Sequence, residues 1–186
     1  TYTKATYRHK YYKPILGGRF VLGFRGEIGA LEAYGDTEVA PFFEHFYSGG
    51  ISSVRGFKQN TLGPRAIPSP YFIDNEGNQI LDEEGNPIAN PYSYYNDDRS
   101  IGGAYLIEGG FDFIFKLPFV EDQRSMRSSF FIDIGNVFSK DCGDTEININ
   151  CSELDLGELR YSYGVGVTWI TQLGPMSLAL SSPTNQ

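Results

Sequence analysis

The sequence predicts an all-β fold: a segment of an antiparallel transmembrane β-barrel with long extracellular loops. Three observations carry this expectation. Apolar and polar residues alternate with period two over six segments. Several of those segments exceed the usual globular strand and match the roughly 9–11 residues that cross a bilayer at a tilt. The connections between them alternate short and long, as in a meander with short periplasmic turns and long outer loops.

The first segment, from Tyr2 to Tyr12, is the weakest, with Lys4, Arg8 and Lys10 opposite Ala5, Tyr7 and Tyr11. From Arg19 to Leu31, Phe20, Leu22, Phe24 and Ile28 oppose Arg19, Arg25 and Glu27. From Ala104 to Lys116, Tyr105, Ile107, Phe111, Phe113 and Phe115 oppose Ala104, Glu108, Gly110, Asp112 and Lys116. From Met126 to Phe138, Phe130, Ile132, Ile134 and Phe138 oppose Arg127, Ser129, Asp133 and Gly135. The segment from Leu159 to Trp169 is the cleanest: Leu159, Tyr161, Tyr163, Val165, Val167 and Trp169 face away from Arg160, Ser162, Gly164, Gly166 and Thr168. From Met176 to Ser181, Met176, Leu178 and Leu180 oppose Ser177, Ala179 and Ser181. Strand side chains point alternately to opposite faces, so each segment has one greasy and one wet face. The greasy face is too aromatic for a small packed interior and the wet face carries charges. Apolar-out, polar-in is the arrangement lipid demands, with Phe111, Phe113, Phe130 and Trp169 as lipid-facing or girdle residues.

The connections run short around Pro14 to Gly18, very long over about 35–103, short from Pro118 to Arg124, intermediate from Ser139 to Glu158, and short from Thr171 to Pro175. A soluble barrel or sandwich has no reason to sort loop lengths by side. Inside the longest loop, Asp74-Asn75-Glu76-Gly77-Asn78-Gln79-Ile80 is echoed by Asp82-Glu83-Glu84-Gly85-Asn86-Pro87-Ile88. Both copies carry turn chemistry and predict small hairpins. A calcium loop fails because Gln79 stands where its sharp turn needs glycine.

Composition narrows the classes further. A net charge of −8 leaves no basic footprint, so no nucleic-acid partner is expected. No apolar run reaches the roughly 20 residues of a membrane helix, which says nothing against a barrel. Thr1-Tyr2-Thr3-Lys4 is not a signal peptide, so a secreted parent is expected to have lost its start. Cys142 and Cys151 lie close together in a polar stretch. In an oxidising compartment they are expected to form a disulfide, worth about 2.5–3 kcal/mol on the chain-entropy account, with unpaired thiols as the alternative. His9 and His45 stand too far away to complete a zinc site, and no metal or other cofactor is expected. No phosphate-cradling loop or nucleophile–histidine–acid pattern is present, so no enzyme is expected.

One motif carries chemistry of another kind. Phe46-Tyr47-Ser48-Gly49-Gly50-Ile51-Ser52-Ser53 leads into Val54-Arg55-Gly56-Phe57, followed by Asn60-Thr61-Leu62-Gly63-Pro64. This resembles the VRGF signature of the sixth extracellular loop in the BamA superfamily, and the flanks match the outer-membrane assembly factors of that superfamily in particular. The stretch from Phe130 to Phe138 resembles the following barrel strand, and Thr168-Trp169 with Leu173-Gly174-Pro175 resembles the turn before the penultimate one.

The resemblance covers essentially the whole chain. It implies residues 1–186 as part of a C-terminal membrane barrel domain: roughly six of about sixteen strands, without the early strands, the last strand or the periplasmic POTRA domains. It implies a loop that folds back into the lumen, with Arg55 meeting Asp133 and Asp112; the alternation independently points both aspartates inward. Where this chain has Asp112 the family has the longer glutamate, so contact there is expected to be less direct, or through water. Gly56 would permit a tight backbone path and Phe57 would plug an apolar recess. The plain alternative is an exposed loop cation beside a solvated wall.

By the same resemblance, the implied function is folding and inserting β-barrel proteins into the bacterial outer membrane through a lateral seam. The implied partners are unfolded outer-membrane clients, accessory assembly lipoproteins reached through the POTRA domains, and outer-membrane lipid with lipopolysaccharide. A two-partner secretion or translocation barrel of the same superfamily, a passive porin, and a soluble binding domain are the alternatives.

Overall fold

The computed structural model describes residues 1–36, 40–66, 71–72, 78–82, 84–89, 100–117, 126–140, 148–149, 153–172 and 174–184. Six long strands form one sheet: β1 (Tyr2–Ile15), β2 (Phe20–Ala33), β4 (Tyr105–Phe115), β5 (Met126–Phe138), β7 (Arg160–Thr171) and β8 (Gly174–Pro183). They pair antiparallel with chain neighbours throughout, in the order β1-β2-β4-β5-β7-β8. Two short strands, β3 (Arg65–Ala66) and β6 (Asn148–Ile149), pair with each other and join the two long loops. Each long strand carries 10 to 14 residues; β1, β2, β7 and β8 run on past the expected segments where pairing continues, β5 matches its segment, and β4 is one residue shorter at each end. Among the described residues β1 and β8 each leave one edge unpaired, as a slice of barrel wall must.

The alternation is visible as two unlike faces. On the outer face Phe24, Ile28, Phe130, Ile132, Tyr163, Trp169, Leu178 and Leu180 are exposed. Their rings meet across strands: Phe20 stacks on Phe113 at 5.2 Å and Phe115 on Phe130 at 5.1 Å between centroids. In water this surface would be a liability; against hydrocarbon it is a requirement. No helix among the described residues is long and apolar enough to cross a membrane.

The inner face departs from a simple wet wall. At its loop end Leu31, Leu106 and Val137 are buried under Phe46 and Ala40 of the long loop. Phe46 lies where a side chain at Gly29 would be, since a Cβ there would stand 2.5 Å from its ring. The loop therefore brings its own apolar residues to cover apolar wall positions, which a reading of the strands alone takes for lumen lining. Phe138 shares the parity of Phe130 but is fully buried, at the end of β5 where it pairs with Tyr105. It is not a lipid-facing residue.

The turns keep to one end. Leu16–Gly18 form a 3-10 turn between β1 and β2, with Gly17 and Gly18 at φ of 66° and 84°, a region that suits residues without a Cβ. The echoed loop segment is hairpin-like. Phe72, Ile80 and Ile88 close a ring of backbone hydrogen bonds, each N–H donating to the next carbonyl at 2.9 Å. In the second copy the Asp82 carboxylate accepts from the backbone N–H of Glu84 and Asn86. The turn of the first copy lies outside the described residues. So do Cys142 and Cys151, the expected disulfide pair.

Candidate functional site

The motif loop reaches the inner face of β4, β5 and β7. Val54 is fully buried, and its Cγ2 occupies the space above Gly135, where a Cβ would come within 2.8 Å. Val54 is thus the residue that fills the apolar recess; Phe57, expected there, is only half-buried. Gly56 adopts φ of 101° and passes close to β7 and β8, with Ser162 Cβ and Ser181 Oγ 3.1 and 3.3 Å from the position of its missing Cβ. A side chain here would meet both strain and the wall.

Between them, Arg55 is bound on every side. Its Nε and Nη2 donate to the two oxygens of Asp133 at 2.6 and 2.8 Å, and its backbone N–H donates to the same carboxylate at 3.0 Å. Nη1 pairs with Asp112 at 3.0 Å. The guanidinium plane lies over Phe131, 3.6 Å from the ring centroid. Asp133 has no exposed side-chain surface, and Arg55 and Asp112 retain 14% and 18%. A planar fork of donors can serve two carboxylates at once, which an ammonium cannot do with comparable geometry. Burial works to lower the Arg55 pKa, but the hydrogen bonds and charges of Asp133 and then Asp112 outweigh it and hold it above the ordinary guanidinium value.

Arg55 and its two expected partners, Asp133 and Asp112, are therefore brought together, and the Asp112 contact is direct rather than loosened by its shorter side chain. The reason lies in the register. Asp112 is paired with Phe131, so the ring that carries the guanidinium sets it beside that carboxylate.

Four further residues belong to the seat. Arg25 of β2 pairs through Nη2 with Asp133 at 2.7 Å and donates to the Ser53 carbonyl at 2.6 Å. Ser53 donates its hydroxyl to Glu108 and accepts from the Gly49 N–H at 3.0 Å. Phe131 is the fourth. The alternation places Arg25 and Glu108 inward but gives no partner to either. Phe131 had a legible signal: it is an aromatic at the polar parity of its strand, two residues before Asp133.

Comparison with known proteins says to which family this chain, with the arginine of its VRGF sequence gripped by wall carboxylates, belongs. The whole chain, residues 1–186, matches the Omp85 superfamily domain. The chain belongs to the Omp85 superfamily. It is 32% identical over 196 aligned positions to the outer membrane protein assembly factor BamA of Neisseria meningitidis serogroup B, covering 98% of this chain. That alignment takes in 21% of the relative, so the chain spans about a fifth of the length of the curated protein it matches. Among solved structures it resembles BamA from Haemophilus ducreyi lacking POTRA domains 1–3, with a TM-score of 0.74 and 23% identity over all of this chain and 32% of that one. The latter likeness concerns the fold. As an Omp85 member the six-stranded sheet is wall of an outer-membrane β-barrel, the architecture and location that the alternation and the motif led one to expect.

Proposed function

We propose that this Omp85 segment belongs to an assembly factor that folds β-barrel proteins and inserts them into the outer membrane. The observation that carries the reading is the Arg55 seat: a loop cation clamped by Asp133 and Asp112 inside the wall. The identity to the Neisseria assembly factor over nearly the whole chain supports it over a secretion barrel of the same superfamily. Assembly of this kind needs no covalent chemistry. An incoming client strand pairs with an exposed sheet edge, and the barrel supplies that edge in an oriented, partly hydrated setting. The role of the segment described here is to hold the long loop against the wall. Unfolded outer-membrane proteins are the clients, and accessory lipoproteins act on the periplasmic parts of the whole protein.

The reading is tested by placing Arg55→Ala and Asp133→Ala in the full-length protein as its sole source in a Gram-negative cell. Both are expected to expose the loop to added protease and to lower the steady-state level of other outer-membrane barrels. Normal barrel levels together with a protease-resistant loop in both variants would rule the reading out.

A further inference from the structure

Resting on the reading that a seated loop is what assembly requires, we infer that Arg25 is a positioning residue of the seat: it fixes the Ser53 backbone and the Asp133 carboxylate relative to each other, so that Arg55 meets its partner in register. Arg25 stands on β2 and Asp133 on β5, with β4 between them. The side chain crosses β4 at one point, Gly110, which is the register partner of Arg25 on one side and of Asp133 on the other. A Cβ at Gly110 would collide with Arg25 Nε and stand 2.8 Å from Asp133 Oδ1 and 3.0 Å from Arg25 Cγ. The missing side chain is the corridor that Arg25 uses.

At the far end a single nitrogen serves both sides of the seat. Arg25 Nη2 forms an ion pair with Asp133 Oδ1 at 2.7 Å on the wall and donates to the Ser53 carbonyl at 2.6 Å on the loop. Ser53 stands two residues before Arg55 and is held a second time through its hydroxyl, which donates to Glu108 of β4. Neutralising Asp133 does not account for Arg25, because Arg55 already gives that carboxylate three hydrogen bonds. What Arg25 adds to the Arg55 N–H bond is a second tie between the loop backbone and the carboxylate, made two residues earlier at the Ser53 carbonyl. The alternation of charge along Arg25, Asp133, Arg55 and Asp112 also means that removing Arg25 leaves no buried carboxylate unpaired. Its loss should loosen the loop without unfolding the wall.

The experiment uses the full-length protein in outer membranes, reading the rate of loop cleavage by added protease and, separately, barrel folding by heat-dependent gel mobility. Arg25→Met is expected to raise the cleavage rate about tenfold, the scale of a hydrogen bond to a charged group, with barrel folding unchanged. Gly110→Ala, which alters no charge, should give an increase at least as large, since its Cβ closes the corridor and also stands 2.8 Å from Asp133 Oδ1. The double variant should be no worse than Gly110→Ala alone, because closing the corridor already removes the Arg25 contact. Gly109→Ala, on the opposite face, should leave loop cleavage unchanged. Wild-type cleavage rates in Arg25→Met and Gly110→Ala, beside a raised rate in Arg55→Ala, would overturn the inference and leave the loop reading standing. A wild-type rate in Arg55→Ala would remove the reading itself. Multiplied effects in the double variant would also overturn the inference, since they would make Arg25 and Gly110 act independently. Should Arg25→Met fail to fold, Arg25→Gln takes its place, with the same expected rise in cleavage and the same result against the inference.

Discussion

Phe131 lies beneath the guanidinium of Arg55, with 3.6 Å between the ring centroid and the guanidinium carbon. The ring is 2% exposed and extends over Gly164 of β7, where a Cβ would stand 2.7 Å from its Cζ. A large aromatic on the polar side of a barrel strand thus has both a platform below it and a cation above it. Strand pairing sets the three in line, because Phe131 is the register partner of Asp112 on one side and of Gly164 on the other.

Phe131→Leu should separate the platform from the charge. Leucine retains apolar volume but has no negative ring face, so the cation–π contribution of about 0.5–2 kcal/mol is lost while the ion pairs remain. The expected outcome is a loop cleaved several-fold faster by protease in the intact protein, with normal barrel folding and a smaller defect than in Arg55→Ala. Equal cleavage in Phe131→Leu and wild type would show that the ring only fills space.

The two carboxylates should not be equivalent. Asp133 is fully buried and pairs with both Arg55 and Arg25, whereas Asp112 retains 18% exposure and, among the described residues, pairs with Arg55. Asp133→Asn leaves the Arg25 and Arg55 guanidiniums facing a neutral amide, with Asp112 still paired to Arg55. That approaches the cost of breaking a buried pair, about 3–5 kcal/mol before any relief from lumen water. Asp112→Asn removes one charge from a partly hydrated position and should cost about 1–2 kcal/mol. Loop cleavage rates and urea midpoints of the purified full-length protein should therefore rank wild type, Asp112→Asn, Asp133→Asn. A reversed order would mean that Asp112 is the true anchor.

Much of this was legible in the residues, for a physical reason. Lipid imposes a strict period of two, so the outer face from Phe24 to Leu180 could be read position by position, and the same parity turned Asp112 and Asp133 inward. The residues that escaped are those whose place depends on where the loop lands. Leu31 and Leu106 read as lumen lining until Phe46 covers them. Val54 and Phe57 are neighbours of similar apolarity, and only the absence of a Cβ at Gly135 decides which of the two is buried. Arg25 could be assigned a face but not a partner, because its reach across β4 depends on Gly110 lying in one register row with Asp133. Periodicity identifies a face; cross-strand register and empty glycine positions identify contacts.

The last expectation concerns pH. Burial pulls the Arg55 pKa down, but Asp133 and Asp112 raise it further, and the net direction is upward. A group whose folded-state pKa is raised contributes stability that is complete below its unfolded value and is lost only as pH rises through the folded one. For a guanidinium both values lie above the range in which the protein would be handled. Protease resistance of the loop should therefore stay level from about pH 7 to about pH 10, although lysines elsewhere begin to lose charge near the top of that range. Arg55→Lys should behave differently. Its ammonium cannot bridge both carboxylates with the same geometry and starts from an ordinary pKa of about 10.4. Cleavage of that variant should start above the wild-type rate and, by the same linkage, climb further only once the pH passes about 10.4. A wild-type rate that climbs below that pH would mean that the seat depends on a group titrating there, and not on a guanidinium that keeps its charge throughout.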